Sequence, residues 1–555
     1  MLSCIIASVL RISYVGPLNG FWSSDQGVKL IQVQSMLLNR FSSSSIIYPG
    51  ATLDPEGTVS PLRGQYFTHN GQTYAMFSDA FALLSSIPFF IFGFAGLYIV
   101  PILSLAALAL LGVRIARPLL GAGGALLVAL TISLTSPLLF YSVIFWEHLP
   151  ATLLVTLGIW QTIQAHQRDN WRRAFGAGLA IGISVWLRNE TALAAPALIG
   201  AVLIARHPRA LRIGGWIGAG VTIGLLPLLI YNQLTFGAAV GPHVLVAGSV
   251  QYQNVSNPFS ARIAWADLLI VPLDEPALNG AISALAIIAV ITSFRRTPGL
   301  ITGALGFSVA LTLLTAILLQ AVPRGGLQTT LLVTFPVVLL SLFPTAPDPS
   351  ADRMYEPVIL VVFGMAFILL AWLARLPDGG AQWGPRMLLP ALPALAIAGA
   401  WRVFSWMHRP VAGAMVTGVA AILIFVALLT QFAGLRQLRA FNLANHTLLT
   451  TVAQSGARVI ITDTWYGPPL LAPIFYDERI IFLIDDGADL DYLLGQLHSA
   501  RFSTVYYLSG HGNTIAAEAR RWHELVALGE PSELAHGLTG QAYRIGEAAS
   551  AEPAR

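Results

Sequence analysis

Long apolar runs, broken by Pro, Gly or small clusters of charge, recur along most of the chain. A helix needs about 20 apolar residues to cross a bilayer, and on that measure spans are predicted near 2–18, 95–113, 119–136, 149–165, 174–187, 190–205 and 213–234. More follow near 278–294, 299–320, 327–344, 355–374, 387–405 and 411–433. The expected fold is mainly α, a polytopic transmembrane helical bundle of about 13 spans.

Two stretches depart from this pattern. Residues 17–94 read as an interfacial helix from Asp25 to Arg40, a loop rich in Ser, Pro and Gly, and an apolar stretch from Phe77. In the tail the period shifts towards two, with strands predicted at 458–462, 479–484, 503–508 and 541–545 and helices near 441–455, 488–500 and 514–528. Alternating strands and helices indicate a small α/β domain. The expected division is a transmembrane domain over 1–438, carrying the loop 17–94, and a C-terminal α/β domain over 439–555.

Composition agrees with a membrane protein. Of 555 residues, 55% are hydrophobic and 10% charged, where soluble domains carry about a quarter charged. The net charge of +4 comes almost wholly from Arg, Lys29 being the single lysine, and no basic tract suits a nucleic acid. Cys4 is the only cysteine, which excludes an intrachain disulfide and a cysteine metal cage. Met1 to Val15 lacks the basic start and small-residue cleavage site of a signal peptide, so it reads as the first span. No GxxxxGK[ST] loop occurs, and the glycines from Gly176 to Gly182 fall inside a span, where small residues serve helix packing.

Arginine placement sets the orientation. With a cytoplasmic N-terminus, the inner connections hold Arg114, Arg117, Arg168, Arg172, Arg173, Arg206, Arg209, Arg212, Arg295, Arg296, Arg353, Arg402 and Arg409. The outer side holds fewer, namely Lys29, Arg40, Arg63, Arg188, Arg262, Arg324, Arg375 and Arg386. The positive-inside rule then places the loop 17–94 and the tail outside the cytoplasm, in a cytoplasmic (inner) membrane.

Candidate chemistry collects on that outer side. On a helix starting near Asp25, residues Asp25, Lys29 and Gln32 share one face. Phe145-Trp-Glu-His-Leu-Pro150, Trp186-Leu-Arg-Asn-Glu190 and Gly379-Gly-Ala-Gln-Trp-Gly-Pro-Arg386 each put titratable groups beside Trp at the outer boundary. Each also has a plain structural explanation. Asp25 with Lys29 is a favourable i, i+4 pair near an N-cap, Glu147 and His148 can cap a helix, Arg188 with Glu190 can be a local ion pair, and Arg386 can anchor an interface.

The order of these segments resembles the polytopic GT-C glycosyltransferases, closest to the polyprenyl- or dolichyl-phosphate mannose and arabinose transferases, over roughly residues 1 to 435. The resemblance implies Asp25 as catalytic base, although many members carry adjacent acids there and this chain has Ser24-Asp25-Gln26. It further implies inverting transfer of a sugar from a polyprenyl-phosphate donor to an acceptor hydroxyl of a glycan, lipid or protein. For the donor phosphate the candidates are Lys29, Arg188 and Arg386, since cations, and Arg above all, suit phosphate. Glu147, His148, Glu190, Arg63 and His69 are candidate substrate contacts.

No metal ligands are predicted, because the outer histidines lack ligand spacing; a divalent metal is left open, and no other cofactor is indicated. Asp485, Asp486, Asp489 and Asp491 read as a strand end leading into a helix N-terminus. Asp463, Trp465 and Tyr466, after the first tail strand, read as scaffolding. Two other classes compete with the enzyme. A transporter or flippase would want ionisable groups in mid-membrane, and a non-catalytic scaffold would use the tail to recruit partners.

Overall fold

The structure is a computed structural model that describes residues 2–205, 208–246, 330–342, 355–374, 382–407, 409–512 and 523–548. In chain order the helices are α1 (Leu2–Val9), α2 (Ser24–Leu38), α3 (Asp79–Phe92), α4 (Ile99–Leu134), α5 (Leu138–Ser142), α6 (His148–Arg168), α7 (Trp171–Leu187), α8 (Ala194–Ile204) and α9 (Ala210–Phe236). They continue with α10 (Leu331–Thr334), α11 (Tyr355–Leu373), α12 (Leu392–Trp406), α13 (Pro410–Gln454), α14 (Gly467–Leu470) and α15 (Gly487–Ser499). The strands are β1 (Tyr66–His69), β2 (Gln72–Ala75), β3 (Val459–Thr462), β4 (Ile480–Leu483), β5 (Thr504–Ser509), β6 (His523–Ala527), β7 (Ser532–Glu533) and β8 (Thr539–Ala548).

The chain is mainly α, and five helical stretches among the described residues are long and apolar enough to cross a membrane: Asp79–Leu134, Ala210–Phe236, Tyr355–Leu373, Arg386–Trp406 and Ala412–Gln454. Leu2–Tyr14 and Asn189–Ile204 are apolar but shorter. The spans expected near 278–294 and 299–320 lie outside the described residues. The runs 95–113 and 119–136 form two helical pieces of α4 on either side of a break at Gly121, whose φ of 71° and ψ of −172° leave the helical region. Two expectations change. In the described part of 327–344, 330–342, α10 stops after four residues at Phe335 and a 3-10 helix follows over Pro336–Leu342, so no single α-helix runs through it. The run 411–433 and the tail helix 441–455 are one 45-residue helix, α13, since 434–440 holds Gly434 but no proline.

Two compact units emerge, Met1–Arg11 with Tyr98–Gly241 and Ala247–Gln437, and Ile12–Leu97 with Pro242–Val246 and Leu438–Arg555. This grouping differs from the expected division at 438, because residues 12–97 cluster with the tail.

In the first unit, α7 and α9 cross closely through two glycine pairs. A Cβ on Gly182 would come within 2.7 Å of the Val221 carbonyl oxygen, and one on Gly224 within 2.9 Å of that of Leu179. Gly178 and Gly220 are as tightly opposed, to Ile217 and Phe175. The spacing is GxxxG on both helices, the arrangement that lets membrane helices touch backbone to backbone. Trp186 Nε1 donates to the Gly224 carbonyl at 2.8 Å, tying the end of α7 to α9.

In the second unit, the sheet runs β4-β3-β5-β8-β6, with β7 beside β8. β3 is parallel to β4 and β5, and β8 is antiparallel to β5 and β6. The helix expected near 514–528 is corrected where it is described, since His523–Ala527 pairs with β8 as a strand. The loop belongs to this sheet's core. Val59 is fully buried with Val459, Phe482 and Leu493, and Tyr48 and Leu53 pack against them. The Leu483 amide donates to the Val59 carbonyl at 3.0 Å, so loop backbone covers the edge strand β4.

Candidate active site

In the second unit, the predicted polar stripe of α2 forms. Gln26 Oε1 accepts from the Trp22 and Ser23 amides at 2.7 and 3.3 Å, satisfying donors that helix starts leave open. Asp25 sits in the first turn, where the helix dipole favours an anion. Gln65 Nε2 donates to Asp25 Oδ1 at 2.9 Å. One turn on, Lys29 is 1% exposed with Nζ 3.6 Å from the Phe77 ring centre, a cation–π contact. After a further turn, Gln32 Nε2 donates to Asp79 Oδ1 at 2.5 Å and to the Phe77 carbonyl at 3.3 Å. The whole stripe therefore meets the segment 65–79, which contains the hairpin β1–β2 and the start of α3.

Other predicted residues of this unit point elsewhere. Arg63 pairs with Asp485 and reaches Asp489 at 4.0 Å, so its guanidinium is occupied by the acidic end of β4. His69 ends β1 and stacks on Phe67, with ring centres 6.1 Å apart. Asp486 caps α15, accepting from the Ala488 and Asp489 amides, as the acidic run predicts. Asp463 accepts from Tyr507, Ser509 and the Gly510 amide at 3.1, 2.6 and 2.8 Å. Its carboxylate closes the carboxyl ends of β3 and β5, which is scaffolding.

In the first unit, the three Trp-flanked motifs meet. Arg188, at the end of α7, donates through Nε to Glu190 at 2.6 Å, through one terminal nitrogen to Glu147 at 2.8 Å and through the other to Met387 Sδ at 3.4 Å. Its side chain is 5% exposed. The Thr191 hydroxyl donates to the Arg188 carbonyl at 2.7 Å and is 2.8 Å from Ser184 Oγ, which fixes the turn after α7. Arg386 lies over Trp146, with Cζ 4.8 Å from the ring centre, and its amide donates to Gln382 Oε1 at 3.1 Å. His148 packs 5.0 Å from Trp146 and 5.3 Å from Tyr141, ring centre to ring centre. Phe140 stacks on Trp383 in the same cluster. Glu147, His148, Arg188, Glu190 and Arg386 are thus gathered, while Asp25, Lys29, Arg63 and His69 belong to the other unit.

Sequence reading missed Gln65, Tyr141 and Gln382. Tyr141 lies five residues before Trp146 and could have been read with it, whereas Gln65 carries no local signal. Among the described residues, no three His, Cys, Asp or Glu side chains are placed to hold a metal ion, so the divalent metal left open by the sequence has no ready group of ligands there.

Residues 80–240 match the family described as dolichyl-phosphate-mannose-protein mannosyltransferase. Among solved structures, ArnT from Cupriavidus metallidurans bound to undecaprenyl phosphate covers 98% of this chain and 97% of its own, with TM-score 0.52 at 11% identity. The chain has the fold of that ArnT. The apo form of the same ArnT agrees with this chain equally well, with TM-score 0.52 and 10% identity over 98% of this chain and 97% of its own. An Archaeoglobus fulgidus oligosaccharyltransferase solved with Zn and sulfate aligns over 95% of this chain and 71% of its own, at 12% identity and TM-score 0.49, a looser likeness. No curated protein matches the sequence.

Proposed function

We propose that the chain is a membrane glycosyltransferase that moves a sugar from a polyprenyl-phosphate donor to an acceptor hydroxyl at the outer face of the cytoplasmic membrane. Asp25 takes the proton of that hydroxyl as general base. The hydroxyl oxygen attacks the anomeric carbon opposite the phosphate, the bond from that carbon to the phosphate oxygen breaks, and the lipid phosphate leaves as an anion with inversion of the sugar. Cations stabilise the leaving charge, and Lys29, Arg188 and Arg386 are assigned to it. Arg188 already donates to two carboxylates and a thioether, so it holds the cluster together while Arg386 makes the more direct contact.

Glu147, His148, Glu190, Arg63 and His69 contribute to substrate contacts or to the shape around them. The acceptor is a glycan, lipid or protein. The N-terminus lies in the cytoplasm and the α/β tail outside it.

The observation that carries this reading is the Asp25 carboxylate, hydrogen-bonded by Gln65 at the start of α2, in a chain with the fold of a protein crystallised with undecaprenyl phosphate. The test is incubation of purified protein with radiolabelled undecaprenyl-phosphate pentoses and hexoses and a membrane extract. Wild type is expected to form a labelled product and Asp25→Asn none; full transfer by Asp25→Asn overturns the assignment.

A further inference from the structure

We infer that Gln65 is a positioning residue for Asp25 and that its amide restricts the acceptor to an uncharged hydroxyl, excluding a phosphate oxyanion. The inference rests on the glycosyltransfer reading and on Asp25 as base.

Gln65 is held at both its backbone and its side chain. Its amide donates to the Arg63 carbonyl at 2.7 Å, and its carbonyl accepts from the Met76 amide at 2.9 Å, one step beyond the Tyr66–Ala75 pair of the β1–β2 hairpin. Its side chain then reaches Asp25, forty positions earlier in the sequence.

An ionised carboxylate only accepts, so the amide nitrogen must face Asp25 and the flip of the side chain is settled by chemistry. The amide carbonyl oxygen is consequently fixed one amide width from the nitrogen that touches the base. Gln65 Oε1 is buried, and no group among the described residues donates to it. A buried acceptor without a donor is unusual. A carboxylate and a carbonyl oxygen side by side welcome O–H donors and repel an oxyanion. An acceptor carrying a hydroxyl to be deprotonated, with a neighbouring hydroxyl as second donor, matches that pair.

Among the described residues, the charged and titratable groups facing this region are Lys29 on the next turn of α2, Asp79 at the start of α3, Arg63 two residues before Gln65, Tyr66 after it, Tyr74 on β2, and Tyr476, which bonds Ser35 of α2. α14, packed on α2, contributes none, being Gly467-Pro-Pro-Leu470.

The experiment is the pH dependence of transfer by purified full-length protein, using the mixture of labelled undecaprenyl-phosphate sugars with membrane extract, for wild type, Gln65→Glu and Gln65→Met. Loss of the amide donor raises the proton affinity of Asp25, and a second carboxylate raises it further. The acidic limb of the rate profile should therefore move up, by about one pH unit or more for Gln65→Glu and by less for Gln65→Met. A purely structural residue would lower the plateau and leave the limb in place. An unmoved limb in variants that melt like wild type overturns the positioning role while Asp25→Asn remains inactive.

The labelled product is then treated with cold aqueous hydrofluoric acid, which cleaves phosphodiesters. Label that stays on the acceptor supports transfer to a hydroxyl, and label released as free sugar overturns it. Transfer by Asp25→Asn, or none by wild type, removes the underlying reading and this inference with it.

Discussion

The cluster around Arg188 and the site around Asp25 are built from different contacts. At Arg188 a guanidinium has all three of its nitrogens committed, two of them to buried carboxylates. Such a network is held rigidly, because removing any member strands a charge away from water. At Asp25 one contact to the carboxylate is a neutral amide, Gln65 Nε2 donating to Oδ1, which orients it through a single hydrogen bond. On the proposed reading, the Arg188 network holds its surroundings in place while Asp25 takes the proton, so the two regions should answer substitution differently.

The largest expected effect separates the two directly. Asp25→Asn should lower transfer by about 10²–10⁴-fold with an unchanged melting curve, whereas Arg188→Ala should destabilise the protein by about 3–5 kcal/mol, read by denaturation in detergent. If both variants lose activity with no loss of stability, the contrast fails.

The support beneath Arg188 can be probed next. α7 carries that residue and leans on α9 through glycine, so Gly220→Leu should cost about 1–3 kcal/mol or more from overpacking. Gly176, which has nothing within 4 Å of an added Cβ, should accept Leu with little change in melting.

Under the Asp25 side, pH gives a smaller signal. Burial, followed by the charge of and hydrogen bond to a carboxylate, pushes the Tyr48 and Tyr507 hydroxyls well above the ordinary tyrosine range, next to Asp54 and Asp463 respectively. A raised folded value means the proton is held more tightly in the folded chain. Their stabilisation is full below pH about 10 and is lost as pH rises through the raised values. Melting of the wild type should fall in alkaline buffer, and the fall should be shallower in Tyr48→Phe. The smallest effect belongs to Arg63→Ala, which removes a partly exposed pair and should shift stability by less than about 1 kcal/mol.

Much of this was legible in the chain. The stripe Asp25, Lys29, Gln32 follows from helical spacing, and the structure puts all three against one segment. Of the α7 glycines read as packing residues, Gly178 and Gly182 meet α9, while Gly176 faces open space. Other features misled for identifiable reasons. The acidic partners of Arg63 were hidden because they lie more than 400 positions away. The residues of β6 carry a strand only because β8 offers a ladder, so local preference was a weak guide. The apolar run of α13 ends near 433, but nothing after it stops the helix.

The sequence by itself determined which segments are apolar enough for a membrane, where the polar motifs fall, and which side chains share a helix face. Those properties depend on neighbours within a turn or two, where backbone geometry is nearly fixed. Tertiary structure alone decided that Gln65 bonds Asp25, that Val59 covers β4, and that Glu147 closes on Arg188. Each of those contacts joins segments that no local pattern links, and its formation depends on how distant surfaces fit once the chain has closed on itself.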